Sequence, residues 1–204
     1  LLRKQFDCVG VIGHSEGGTI GLMLAAEGKV DFVVSLAGSI VSGQKILLEQ
    51  NQWMLQQAGY APEVVERYCK VLEGLFNDVK AGTTPVVDSE GLPVELAQNL
   101  QAVKAQCSTP YMRYFLALDA STCLNKVKCP VLALNGTKDC QVGCEENLNI
   151  LRKGLFGKKE IHAIEGVNHL FQHCKTGATS EYKDIEETFA PEAIDIVVSW
   201  LKKL

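Results

Sequence analysis

The pentapeptide Gly13-His14-Ser15-Glu16-Gly17, with Gly18 behind it, sets one serine among small residues. A serine hydroxyl is a poor nucleophile at neutral pH. It attacks a carbonyl when a neighbouring base takes its proton and an acid orients that base. Both partners stand downstream, in the order serine, acid, imidazole. Asp139 closes Asn135-Gly136-Thr137-Lys138-Asp139, and His169 closes Glu165-Gly166-Val167-Asn168-His169. Together the three groups suit acyl transfer through a covalent acyl-serine. Blander readings exist for each. The pentapeptide also fits a glycine-rich phosphate-binding turn. Asp139 also fits an ordinary turn, which would leave Glu145 or Glu146 as the acid. His14 lies too close to Ser15 to swing round as its base and reads as a side chain packed beside it. His162 falls inside a strand, ahead of the loop that carries His169.

Three distant residues meet only if the chain between them is built for it. Phe6 to Ile12 is a nearly unbroken apolar run and reads as a strand buried on both faces. A tight turn follows, in which Gly13, Gly17 and Gly18 keep the strand and helix close. A helix is expected from Thr19 to Glu27, ended by Gly28, and a second strand from Asp31 to Leu36. Strand, turn, helix, strand implies a parallel sheet. This setting gives the pentapeptide its specificity. A serine between a buried strand and a helix sits in a strained turn, with backbone N–H groups of the helix start aimed at developing negative charge.

From about 40 to 120 no strand is expected. Helical spacing marks 45–58, a helix opened by Pro62, 94–105 and 111–118, with a polar loop over 81–93. This reads as a cap-like helical insertion after the second strand. Its aromatic and thioether side chains Trp53, Met54, Tyr111 and Tyr114 are candidates for a substrate pocket, core packing being the plainer role of each. The rhythm then resumes, with strands at 130–134 and 159–164, a helix at 145–152 and a last helix at 191–203. The fold class is therefore α/β: a mainly parallel sheet with flanking helices, in one domain over 1–204. Asp139 and His169 each follow a strand, so three strand ends would deliver the three groups to one sheet edge.

The 204 residues are 47% hydrophobic and 22% charged, with a net charge of −4. An acidic balance argues against nucleic acid and against a polybasic membrane surface. The apolar stretch 32–44 is too short and too polar to span a bilayer. Eight cysteines at this length are expected to be mostly free thiols in a reducing, cytoplasmic setting. Cys140, Cys144, His173 and Cys174 flank the acid and the imidazole. They could form a zinc cluster or a disulfide, but their irregular spacing favours neither, and no metal or cofactor is expected. The sequence opens on Leu1 without a methionine and without a visible signal peptide, as a piece of a longer protein would.

Three stretches, 13–18, 130–139 and 166–171, resemble the α/β-hydrolase superfamily, most of all bacterial serine esterases related to dienelactone hydrolases. The resemblance covers the C-terminal portion of that fold. It implies a carboxylic ester hydrolase acting on a small-molecule ester, with Ser15 as nucleophile, Asp139 as acid and His169 as base. The backbone N–H of Glu16 would be one oxyanion donor. It further implies four strands ahead of the serine strand, with a second donor from a loop there; this sequence contains neither. One missing donor costs about 2.7–4 kcal/mol of transition-state stabilisation. Strand 6–12 would then be an edge, expected to pair with a preceding segment or with a second copy of the chain. The competing expectation is a truncated, non-catalytic domain that binds a ligand or partner.

Overall fold

The computed structural model describes residues 2–107 and 109–204, so Leu1 and residue 108 lie outside it. It divides into two compact units, one made of 1–41 with 120–204 and one of 42–119.

The first unit is built on four parallel strands, β1 (Val11–His14), β2 (Val33–Leu36), β3 (Val131–Gly136) and β4 (Lys159–Ile164), in the spatial order β1-β2-β3-β4. The register sets Val33 beside Val11 and Val131, and Leu36 beside His14 and Leu134. Strands β2 and β3 are buried along their whole length, as their unbroken apolar runs require. Their side chains alternate between two cores. Val33, Val131 and Ala133 pack with Leu22 and Ala25 of α1 (Glu16–Ala26) and with Leu148 and Leu151 of α6 (Cys144–Gly154). Val34, Leu36, Leu132 and Leu134 pack on the other face with Phe171 and with Ala193 and Trp200 of α7 (Pro191–Leu201). Full burial of each such aliphatic side chain contributes about 1.5–3 kcal/mol.

The sequence places β1 too early. Residues 6–10 are not strand, and Phe6 and Cys8 are exposed. Among the described residues β1 has a neighbouring strand on one side only, and its register with β2 begins at Val11, after an earlier backbone bond from Asp31 N to Val9 O at 2.8 Å. The strand also runs two residues further than expected and includes His14. Helix α1 starts earlier than expected, at Glu16, so that Ser15 caps it. The apolar residues of α1 and α7 are not all covered. Ile20, Ile194 and Val198 are exposed, while Leu22 and Trp200 are buried.

The second unit is helical: α2 (Gly43–Gln57), α3 (Pro62–Ala81), α4 (Val94–Gln106) and α5 (Pro110–Ala117). Helix α3 has its proline in the first turn and Gly82 in the left-handed conformation at its C-cap. Its stripe Val65, Tyr68, Leu72, Leu75, Phe76 and Val79 forms a separate core with Leu96, Leu100 and Leu116.

Candidate active site

Ser15 occupies the turn between β1 and α1 with φ 54° and ψ −122°, a conformation an L side chain rarely adopts. Strain of this kind costs about 1–3 kcal/mol. The surrounding hydrogen bonds hold it. Ser15 N donates to Leu36 O at 2.8 Å, and Ser15 O accepts from Gly18 N at 2.9 Å. The Ser15 side chain makes no capping bond to α1, which leaves its hydroxyl for other work. Two of the three glycines are sterically required. A Cβ on Gly13 would run into the Gly17 carbonyl and lie 2.7 Å from Gly18 N, and one on Gly18 would lie 2.7 Å from Ser35 Oγ. Gly17 is different from what the sequence suggests: a Cβ there meets nothing within 4 Å. It matters through its carbonyl, not through an absent side chain.

Asp139 and His169 come together because the loops after β3 and β4 are pressed against each other. A Cβ on Gly136 would lie 2.8 Å from Asn168 O, and Lys138 N donates to Val167 O at 3.0 Å. Asn135 shapes the first loop by donating from Nδ2 to Val142 O at 3.1 Å. Asn168 shapes the second, since its Oδ1 accepts from Leu170 N at 2.9 Å and Gln172 N at 3.0 Å. His169 Nδ1 lies 2.8 Å from Asp139 Oδ2, with side-chain exposures of 6% and 0%. The other carboxylate oxygen accepts from Gln141 N and Val142 N, both at 2.8 Å. An ionised carboxylate only accepts, so Nδ1 carries the proton and Nε2 has its lone pair free to accept one.

His14 packs near the imidazole, as its sequence position suggests, but with a partner the sequence does not reveal. Its Nε2 lies 2.8 Å from His169 O. A carbonyl can only accept, so His14 Nε2 is the donor. The two imidazole centroids are 4.7 Å apart. The residue before the serine thus grips the loop that carries the imidazole. Ser15, Asp139 and His169 all belong to the sheet unit. Glu16 is the first residue of α1.

A family model described as BAAT / acyl-CoA thioester hydrolase C terminal matches residues 3–164. The chain belongs to that family. The match takes in Ser15 and Asp139 and ends before the loop of His169. No curated protein matches the chain. Among solved structures, the Pyrococcus furiosus esterase Pf2001 aligns with 99% of this chain and 57% of its own. Identity is 15%, with TM-scores of 0.50 and 0.54 in two crystal forms. Acetyl xylan esterase 1 from Thermoanaerobacterium sp. aligns with 80% of this chain and 40% of its own, at 21% identity and a TM-score of 0.43. The chain therefore spans 40% and 57% of the lengths of these two esterases. The fold is that of α/β-hydrolases, as the three sequence stretches implied.

The four candidate pocket residues of this BAAT-family chain belong to the helical unit. Trp53 and Met54 are on α2, and Tyr111 and Tyr114 on α5. Tyr111 stacks on Phe115 at 6.0 Å. Cys140 and Cys144, near the acid, are free thiols. Burial, then the Asp139 charge, pushes Cys140 and Cys144 each up to about 11, so both are protonated at neutral pH. His173 pairs with Glu187 at 3.0 Å and Glu192 at 2.9 Å. Among the described residues no group of three or more His, Cys, Asp or Glu is arranged to hold a metal. Among the described residues no helix is long and apolar enough to cross a membrane.

Proposed function

We propose that this chain is the catalytic C-terminal part of a serine hydrolase that cleaves acyl thioesters and related carboxylic esters. The observation that carries the reading is the buried Asp139–His169 hydrogen bond, joined through His14 Nε2 to the residue preceding a serine held at φ 54° in a strand-to-helix turn. The thioester class is taken from the family to which the chain belongs.

In this reading Ser15 Oγ attacks the acyl carbon while His169 Nε2 accepts the hydroxyl proton. Asp139 holds the ring in its Nδ1–H tautomer and offsets the imidazolium charge. The tetrahedral oxyanion takes a hydrogen bond from the Glu16 N–H at the start of α1. Collapse breaks the carbon–sulfur or carbon–oxygen bond, and His169 returns its proton to the leaving thiolate or alkoxide. Water, deprotonated by His169, then attacks the acyl-serine and frees the acid. The outer edge of β1, where Ile12 is 54% exposed, would be covered by a paired strand from a preceding segment or another copy.

The test is covalent labelling with a fluorophosphonate, read by mass spectrometry on the adduct peptide. Wild type is expected to carry the adduct on Ser15, and Ser15→Ala to carry none. Labelling of Ser15→Ala at the wild-type rate would remove Ser15 from the mechanism. An unlabelled wild-type chain would favour the non-catalytic, ligand-binding alternative.

A further inference from the structure

The helical unit holds a cavity of about 850 Å³ where α3 and α4 end and α5 begins. Its charge is one-sided. Lys104 and Arg113 line it, and no aspartate or glutamate does. The unit's other arginine, Arg67, is paired with Asp88 at 2.6 Å, whereas Arg113 has no carboxylate partner among the described residues. Asp78, four residues before Gly82, already accepts from Thr83 Oγ1 and Val86 N, each at 3.2 Å. The Arg113 guanidinium lies over the left-handed turn at Gly82. A Cβ there would be 3.0 Å from Arg113 Cζ, so the glycine makes room for the cation. Around the two charges stand Thr83 and Thr109, whose hydroxyls donate to Asp78 and to Gln106 O, the apolar Val79 and Pro85, and the exposed ring of Tyr114.

Two helices reach this cavity by their negative C-terminal ends and only the short α5 by its start, so the helix dipoles do not explain a positive site. The side-chain cations must supply it. Two cations without carboxylate partners and an aromatic ring in one cavity suit a phosphate carried on a flat ring system. We propose that this cavity binds the phosphate group of a nucleotide-like ligand, with Arg113 and Lys104 as its counter-charges and Tyr114 against its ring. The nucleotide end of an acyl-CoA thioester is one ligand of this chemistry; choosing it rests on the function proposed above, while the phosphate site itself does not.

Isothermal titration of the whole chain tests the proposal with three probes: free coenzyme A, adenosine 3′,5′-bisphosphate and inorganic phosphate. Coenzyme A and the bisphosphate are expected to bind and to displace one another. Arg113→Gln and Lys104→Gln should each weaken both by about tenfold or more, and added salt should weaken them further. Tyr114→Ala should weaken the nucleotides but not inorganic phosphate. Arg113 is exposed, so circular dichroism should report an unchanged fold in its variant. Inorganic phosphate binding as tightly as the bisphosphate would overturn the part assigned to the ring. No binding, or binding unmoved by Arg113→Glu, would overturn the whole. Ser15→Ala should keep wild-type affinity for coenzyme A, so a failure of the hydrolase reading and a failure of this site give different results.

Discussion

Replacing Asp139 by asparagine isolates the part of the carboxylate that only its charge and acceptor chemistry can play. The amide side chain would retain one oxygen for Gln141 N and Val142 N, both now at 2.8 Å from Asp139 Oδ1. The fold of the loop should therefore persist, with a stability change within about 1 kcal/mol. The other position changes from an acceptor to an NH2 donor, facing a ring nitrogen 2.8 Å away that is itself a donor. Two donors cannot share a hydrogen bond. The imidazole must move its proton to Nε2, the nitrogen that has to accept from Ser15. Wrong-tautomer trapping of this kind lowers kcat by about 10⁴-fold, equivalent to about 5.5 kcal/mol in the barrier. The assay is the loss of thioester absorbance on mixing acyl-CoA with wild type or D139N, beside thermal melts of both. A variant that melts like wild type and turns over within tenfold of it would refute the assignment of Asp139, and Glu145 or Glu146 would then be examined.

His14→Ala removes the donor to His169 O and the ring beside the imidazole, and kcat is expected to fall about tenfold, near the 1–1.5 kcal/mol of one lost hydrogen bond; an unchanged kcat would show that the loop is held without His14. Gly13→Ala forces a Cβ against the Gly17 backbone and should lower stability by about 1–3 kcal/mol, whereas Gly17→Ala, with open space around it, should melt at or above the wild-type temperature. The His173 imidazole is raised above its usual 6.5, first by its hydrogen bond to Glu187 and then by the Glu187 and Glu192 charges. Its contribution to stability is therefore complete below about pH 6.5 and lost as pH rises through the higher folded value. An NMR titration of the ring should show this midpoint, and Glu187→Gln should move it back towards 6.5.

What could be read from the sequence follows its physics. Strand β4 was legible to the residue and α3 to its start, because a bounded apolar alternation and a proline in the first turn are local signals. The start of β1 was not. An apolar run does not show where its pairing with a neighbour begins, and the register with β2 begins at Val11. The neighbourhood of Asp139 and His169 was legible because both follow strands that turn out to pair, β3 with β4. The role of His14 was not, since its partner is a carbonyl that becomes its neighbour only when the loop after β4 closes. The distinction between Gly13 and Gly17 was also hidden, because a close backbone approach leaves no trace in the letter G.

Strands β2 and β3 lie side by side, yet the chain between them, 37–130, includes the whole helical unit. During synthesis β2 emerges long before its partner exists. A bare span of that length would raise the entropic cost of joining the two strands and slow their meeting. The helices lessen that burden because Leu72, Leu75 and Phe76 condense on neighbours within the same span. Once they have settled, the strands are separated by a compact body whose ends are tethered, and not by a long random search.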